Sequence, residues 1–288
     1  MTKNNRTSKE HYIPQVYLNG FASEEKRLYF YDLNSRSYSD QMVPVKSICY
    51  SKDLYEYKNE YNQIVFANVI EKALGSVESS FAKNRDAIHS KIRVVNNQTN
   101  CFLSESEKNY WAFYITVQLF RLPKIIEEST KALQEMTPSS EEYYRIRNTA
   151  LSFMLPFLNG IKPENLESSL FVDFFAVILS FKCTVVYDSQ HRLITSDNPL
   201  YFHSSTESFY SCDELFFPID SSLCLIMAKN GFYPENGMIT LNSNLYEELF
   251  KSIVYVANDK LFTGRKFTKQ EKYWLRDVLS DRIKDGIG

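Results

Sequence analysis

Four stretches of this sequence put polar groups where the surrounding residues favour burial, and chemistry could sit at each. The first is His11-Tyr12-Ile13-Pro14-Gln15-Val16-Tyr17-Leu18. An imidazole just ahead of a proline stands at a helix entrance, where its neutral form can bind a metal ion or act as a base. It can equally cap the helix or satisfy a core hydrogen bond. Glu71 and Glu78 are two helical turns apart, so both carboxylates leave one side of a helix, about 10 Å from each other. That separation is too large for one ion without other groups between them, but each can serve one wall of a cleft. The alternative is the solvated border of an amphipathic helix. Arg121 closes an aromatic helix ahead of Leu122-Pro123, where a guanidinium can clamp a phosphate or carboxylate through two bonds, or pair with a carboxylate of the long helix. Asp197 and Asn198, in Thr195-Ser196-Asp197-Asn198-Pro199, stand at a strand end, a frequent place for ligands and catalytic acids. Turn chemistry before a proline explains the same residues without function.

These groups need elements to hold them. Pro14 fits the start of a short helix. Residues 27–33 alternate as a strand ended by Asn34-Ser35, with Met42 to Val45 as a short partner. From Tyr61 to Ile92, apolar residues recur at Ile64, Ala67, Ile70, Leu74, Val77, Phe81 and Ile88, a helical period held over many turns. Ser104 and Glu107 form a capping box opening a helix that runs to Arg121. Further helices are expected at Ser139 to Leu158, Glu164 to Phe181, Asn244 to Ala257 and Thr268 to Lys284. Two hairpins are expected: Thr184 to Tyr187 with Arg192 to Thr195, and Leu215 to Ile219 with Leu223 to Ala228. The fold class is α+β, a mainly helical body with a short antiparallel sheet in the C-terminal half. Residues 1–9 read as a polar tail and 10–288 as one domain, since no repeat or linker interrupts them.

The formal charge of -2 argues against a grip on nucleic acid by net charge, while leaving room for a local basic groove. Five cysteines without a CxxC pair fit reduced thiols in a cytoplasm. No secretory signal is evident, and the longest apolar run, Leu170 to Phe181, is too short to span a bilayer, so no membrane partner is expected. GxSxG, Walker, HExxH and dinucleotide fingerprints are missing. His89 and His203 have no acidic or cysteine neighbour at ligand spacing, and His191 falls in a turn. The 20 Tyr and 21 Phe predict a core threaded with hydroxyl contacts.

The His11-to-Leu18 segment with Phe21, the Glu71 and Glu78 helix, Arg121, Ile194-Thr195-Ser196-Asp197-Asn198-Pro199 and Phe217-Pro218 together resemble the mostly bacterial family catalogued as domain of unknown function 4238. Asn242, Asn244 and the helix behind them resemble its closing segment, and Phe217-Pro218-Ile219-Asp220 departs mildly from its pattern. The resemblance implies which residues matter rather than what they do.

The expectation drawn from the residues is one cleft between helical body and sheet, with His11, Glu71, Glu78 and Asp197 as catalytic groups and Tyr17, Arg121 and Asn198 contacting substrate. Arg121 and Asp197 are expected to share it. A divalent metal ion held by Glu71, Glu78 and Asp197 is an option. Such a set suits hydrolysis of a phosphodiester or nucleotide, as in a nuclease-like toxin or phage-defence effector, with nucleic acid or nucleotide entering a local groove. Two rivals stand beside it: a non-enzymatic binding module whose polar residues form a structural network, and a transferase that consumes NAD or modifies a nucleotide.

Overall fold

Pro14 stands at the N-cap of a single helical turn, α1 (Gln15–Leu18), with strand β1 (Lys9–His11) leading into it. The computed structural model describes residues 8–94, 102–135, 143–158, 170–204, 212–230 and 233–284. Six short strands follow α1: β2 (Arg27–Asp32), β3 (Ser37–Tyr38), β4 (Val43–Pro44), β5 (Tyr50–Lys52), β6 (Tyr57–Lys58) and β7 (Ile64–Phe66). The long helix α2 (Val69–Val94) begins later than its apolar period suggests, because Ile64 belongs to β7 and pairs with Lys58. Its buried stripe is Ile70, Leu74, Val77, Phe81 and Ile88.

Helix α3 (Glu105–Phe120) opens with the expected capping box, Ser104 and Glu107 each satisfying the other's backbone amide. Lys91 of α2 closes on Glu107 at 2.5 Å, tying the two helices together. Most of α3 is buried, and Phe81 of α2 packs between its Trp111 and Tyr114 rings. Pro123 does not extend this helix. It occupies the first position of α4 (Pro123–Glu135), where a missing amide costs nothing. The helices α5 (Tyr143–Ser152), α6 (Leu155–Leu158) and α7 (Leu170–Leu179) complete the helical half. Residues 139–142 and 164–169 of the expected helices lie outside the described residues.

The C-terminal half contributes β8 (Lys182–Tyr187), β9 (Thr195–Ser196), β10 (Tyr201–Ser204), β11 (Cys212–Asp220), β12 (Leu223–Ala228), β13 (Met238–Thr240), α8 (Ser243–Val256), β14 (Lys260–Thr263) and α9 (Lys269–Lys284). The α+β class holds. One sheet runs β10-β11-β12-β8-β13, antiparallel except for the β8–β13 pair, and includes the expected β11–β12 hairpin. The other expected hairpin does not form. β8 pairs with β12 and β13, while β9 joins a second sheet, β3-β2-β14-β9, with β4 against β2. The reason is local: the Asp188 carboxylate accepts from the amides of Gln190 and Arg192 and from the Arg192 guanidinium, and His191 takes a left-handed φ of 54°. The chain then leaves its own strand, and Leu193 bonds to Ser221 instead. The second sheet joins N-terminal strands to β14, so the sheet content is not confined to the C-terminal half. One buried apolar cluster extends from Ile13 to Val278. No described helix is long and apolar enough to cross a membrane.

Candidate functional site

The expected residues fall into two neighbourhoods. The first surrounds Arg121, whose side chain is 1% exposed although it is charged. A guanidinium this deep must have all its needs met by protein. One terminal nitrogen donates to the His11 carbonyl at 2.6 Å and to Glu78 at 3.0 Å, and Nε lies 3.5 Å from the Tyr55 hydroxyl. That hydroxyl in turn donates to the Arg121 carbonyl at 2.9 Å. Burial holds the Glu71 carboxyl above its usual range, and the Arg121 charge pulls the other way. Glu10 is fully buried; one oxygen accepts from the Tyr55 amide at 2.8 Å and the other has no hydrogen-bond partner. Burial pushes its pKa up to about 7, assisted by Glu56, Glu71 and Asp53.

His11 borders this neighbourhood with its ring turned elsewhere. It bonds to the Lys46 backbone, packs against Tyr50 at 5.7 Å between centroids, and leaves Nε2 buried without a partner. Since Nε2 is the free nitrogen, Nδ1 carries the proton that bonds the backbone. Burial lowers the pKa of the ring, which favours its neutral form.

The second neighbourhood is an open crevice of about 420 Å³ lined by Tyr12, Phe30, Cys49, Tyr50, Asp197, Asp259, Lys260 and Phe262, among others. Asp197 follows β9 because its amide bonds to the Lys260 carbonyl at 3.1 Å, continuing the β9–β14 pairing. Its oxygens accept from the amides of Asn258 at 2.9 Å and Asp259 at 2.7 Å. Burial nevertheless pushes its pKa up to about 6, with the Asp259 charge adding to the rise. The Lys260 ammonium lies over the Phe30 ring and 3.5 Å from Asp32. Cys49 holds a left-handed φ of 53°, which costs a non-glycine residue about 1 kcal/mol or more. Its carbonyl accepts the Tyr12 amide at 3.0 Å, which fixes one wall of the crevice. Burial raises the Cys49 thiol well above its usual pKa, so it is not a thiolate nucleophile at neutral pH.

Arg121 and Asp197, expected to share one cleft, are joined by no hydrogen bond or ion pair, and each has its own partners. Tyr17 is fully buried, its hydroxyl donating to the Pro218 carbonyl and sharing a hydrogen bond with Thr195, both at 2.8 Å. Those bonds leave no face for substrate. Asn198 donates to the Val256 carbonyl at 3.0 Å, and its side-chain oxygen is buried without a partner. Among the described residues, no group of three or more His, Cys, Asp or Glu is placed to hold a metal ion, so Glu71, Glu78 and Asp197 do not form one.

Residues distant in sequence complete both neighbourhoods. Glu10, Tyr55 and Glu56 gather near Arg121, while Tyr12, Cys49, Tyr50 and Lys260 shape the crevice. His89 bonds through Nε2 to Asp220 at 2.7 Å. No spacing rule reaches across 131 positions.

A family model described as protein of unknown function (DUF4238) matches residues 9–267. The chain belongs to this family. The DUF4238 match starts at β1 and ends at Phe267, just before α9, so it takes in every residue of both neighbourhoods. No curated protein and no solved structure matches this DUF4238 chain.

Proposed function

We propose that this protein is a hydrolase of phosphodiester or nucleotide substrates that works by acid–base chemistry in the Asp197 crevice. The observation that carries the reading is a carboxyl with its pKa near 6 on the wall of an open, aromatic-lined space that also holds an ammonium. A carboxylate of that basicity is matched to proton removal at neutral pH. In the proposed step, Asp197 takes a proton from a water whose oxygen attacks phosphorus. The bond from phosphorus to the leaving oxygen breaks, and solvent protonates the leaving group. Lys260 faces the developing phosphate charge. The rings of Tyr12, Phe30 and Tyr50 offer surfaces for a base. The unpaired described cysteines, all buried, support work in a reducing compartment such as a cytoplasm.

A second reading applies to the other neighbourhood. Arg121 is too deep and too fully bonded to grip substrate, which favours a structural network there. The test is to incubate the folded chain with a panel of dinucleotides, cyclic nucleotides, short oligonucleotides and NAD, beside Asp197→Asn and Lys260→Ala. The proposal expects ester cleavage by wild type and its loss in both variants. Release of nicotinamide without ester cleavage, or no turnover across the panel, contradicts it.

A further inference from the structure

The crevice continues into two neighbouring hollows. Phe30 also lines a hollow of about 180 Å³ with Tyr29, Tyr38, Asp40, Lys266 and Lys272. Tyr38 and Lys272 then line a third, of about 600 Å³, with Tyr31, Arg36 and Arg276. The track so formed crosses β2 and β3 and climbs onto α9. It alternates rings with cations: Lys260 lies 5.8 Å from the Phe30 centroid, Lys266 6.0 Å from Tyr29 and Lys272 4.6 Å from Tyr38.

Several lysines elsewhere pair with carboxylates, as Lys251 does with Asp277 and Lys131 with Glu127. Along the track, Arg36, Lys266, Lys272 and Arg276 have no salt-bridge partner among the described residues. The acids facing the track are few, and among the described residues none forms a salt bridge with these four. Asp40 lines the middle hollow, Asp197 and Asp259 line the crevice, Asp32 lies by Lys260, and the nearby Glu271 is held by Arg265 at 2.5 Å. Cations without salt bridges set among half-buried rings are what a single strand of nucleic acid requires. Bases stack on the rings, and the displaced ammonium groups meet the phosphates.

We infer that this track binds single-stranded nucleic acid and feeds it into the crevice, so that the substrate is a strand rather than a free mononucleotide. The inference rests on the hydrolase reading for what happens in the crevice, but strand binding is measured without it. A net charge of -2 does not oppose it, because the basic groups are local.

The experiment is fluorescence anisotropy of the full chain with labelled ten-residue oligo-U and oligo-dT, and with a hairpin duplex, over a range of salt concentrations. Lys272→Ala/Arg276→Ala is the test variant, with Lys131→Ala as a control elsewhere on the surface. Both track positions are exposed on α9, so the variant should fold, and its melting temperature checks that. Wild type and control should bind single strands in preference to the duplex. Losing two phosphate contacts should weaken binding at least tenfold and flatten the log–log salt slope by about 1.4. No binding by wild type, equal binding of the duplex, or an unchanged slope in the folded double variant overturns the inference. Strand binding without cleavage keeps the track and removes the hydrolase reading, whereas dinucleotide cleavage without strand binding does the reverse.

Discussion

Arg121 donates to the backbone carbonyl of His11 at 2.6 Å, so the last residue after α3 fixes the strand that starts the fold. The same nitrogen reaches Glu78, which is 30% exposed, whereas the arginine is 1% exposed. Arg121→Ala would remove a side chain that ties β1, α2 and α3 together. Because water can reach Glu78 once the arginine is gone, the cost should fall below that of a fully stranded pair, about 2 to 4 kcal/mol. Chemical denaturation measures it. A melting temperature within a degree of wild type would show that the network does not hold the fold.

Tyr17→Phe should cost about 1 to 3 kcal/mol, because the Pro218 carbonyl and Thr195 hydroxyl lose a buried partner. Turnover in the folded variant should match wild type, since the ring does not face the crevice. A folded Tyr17→Phe protein with raised KM would return Tyr17 to the substrate-binding set.

Much of the architecture was legible because its signals are local. The α2 stripe, the Ser104 capping box and the β11–β12 hairpin each depend on residues within a turn or two of one another. The Arg192-to-Thr195 segment was misassigned because its destination depends on side-chain bonds from Asp188 and on β14, some 65 positions later. The site divides in the same way. Asp197 and Arg121 each stood out as a charge in an apolar setting, but sequence could not show that they serve different neighbourhoods. Glu10 carries no such signal, since a glutamate between Lys9 and His11 reads as exposed until β1 pairs with β5 and its side chain is buried. Lys260 and Cys49 carry none until β14 and the Tyr12 segment are brought together.

Glu10 predicts an unusual pH response. Its pKa stands near 7 in the folded chain, raised by burial, against 4.5 for the ordinary group. Between those two values the folded state holds a proton that the unfolded state has released, so this group's contribution to stability falls as pH rises from about 4.5 to 7. Glu10→Gln removes that loss. The variant's stability relative to wild type should therefore grow from pH 5 to pH 8, by on the order of 3 kcal/mol at most. A difference that stays flat with pH would mean that Glu10 is not buried in the form described.

Lys260→Ala separates substrate charge from fold. Its ammonium is only loosely shared with Asp32 at 3.5 Å, a surface-type pair that contributes about 1 kcal/mol or less. Stability should barely change, whereas kcat/KM for a phosphodiester should fall by about 10²-fold if the ammonium meets charge that develops in the transition state. An equal kcat with raised KM would place Lys260 in ground-state binding instead.

The pH–rate profile of phosphodiester hydrolysis by the wild-type chain tests the central claim, because it reads Asp197 without altering the fold. With that carboxylate as base and its pKa near 6, kcat/KM should climb about tenfold per pH unit below 6 and level off above it. Folded Asp197→Asn should lose both the rate and the inflection. A profile flat through pH 6, or an Asp197→Asn protein that cleaves as fast as wild type, would contradict the account.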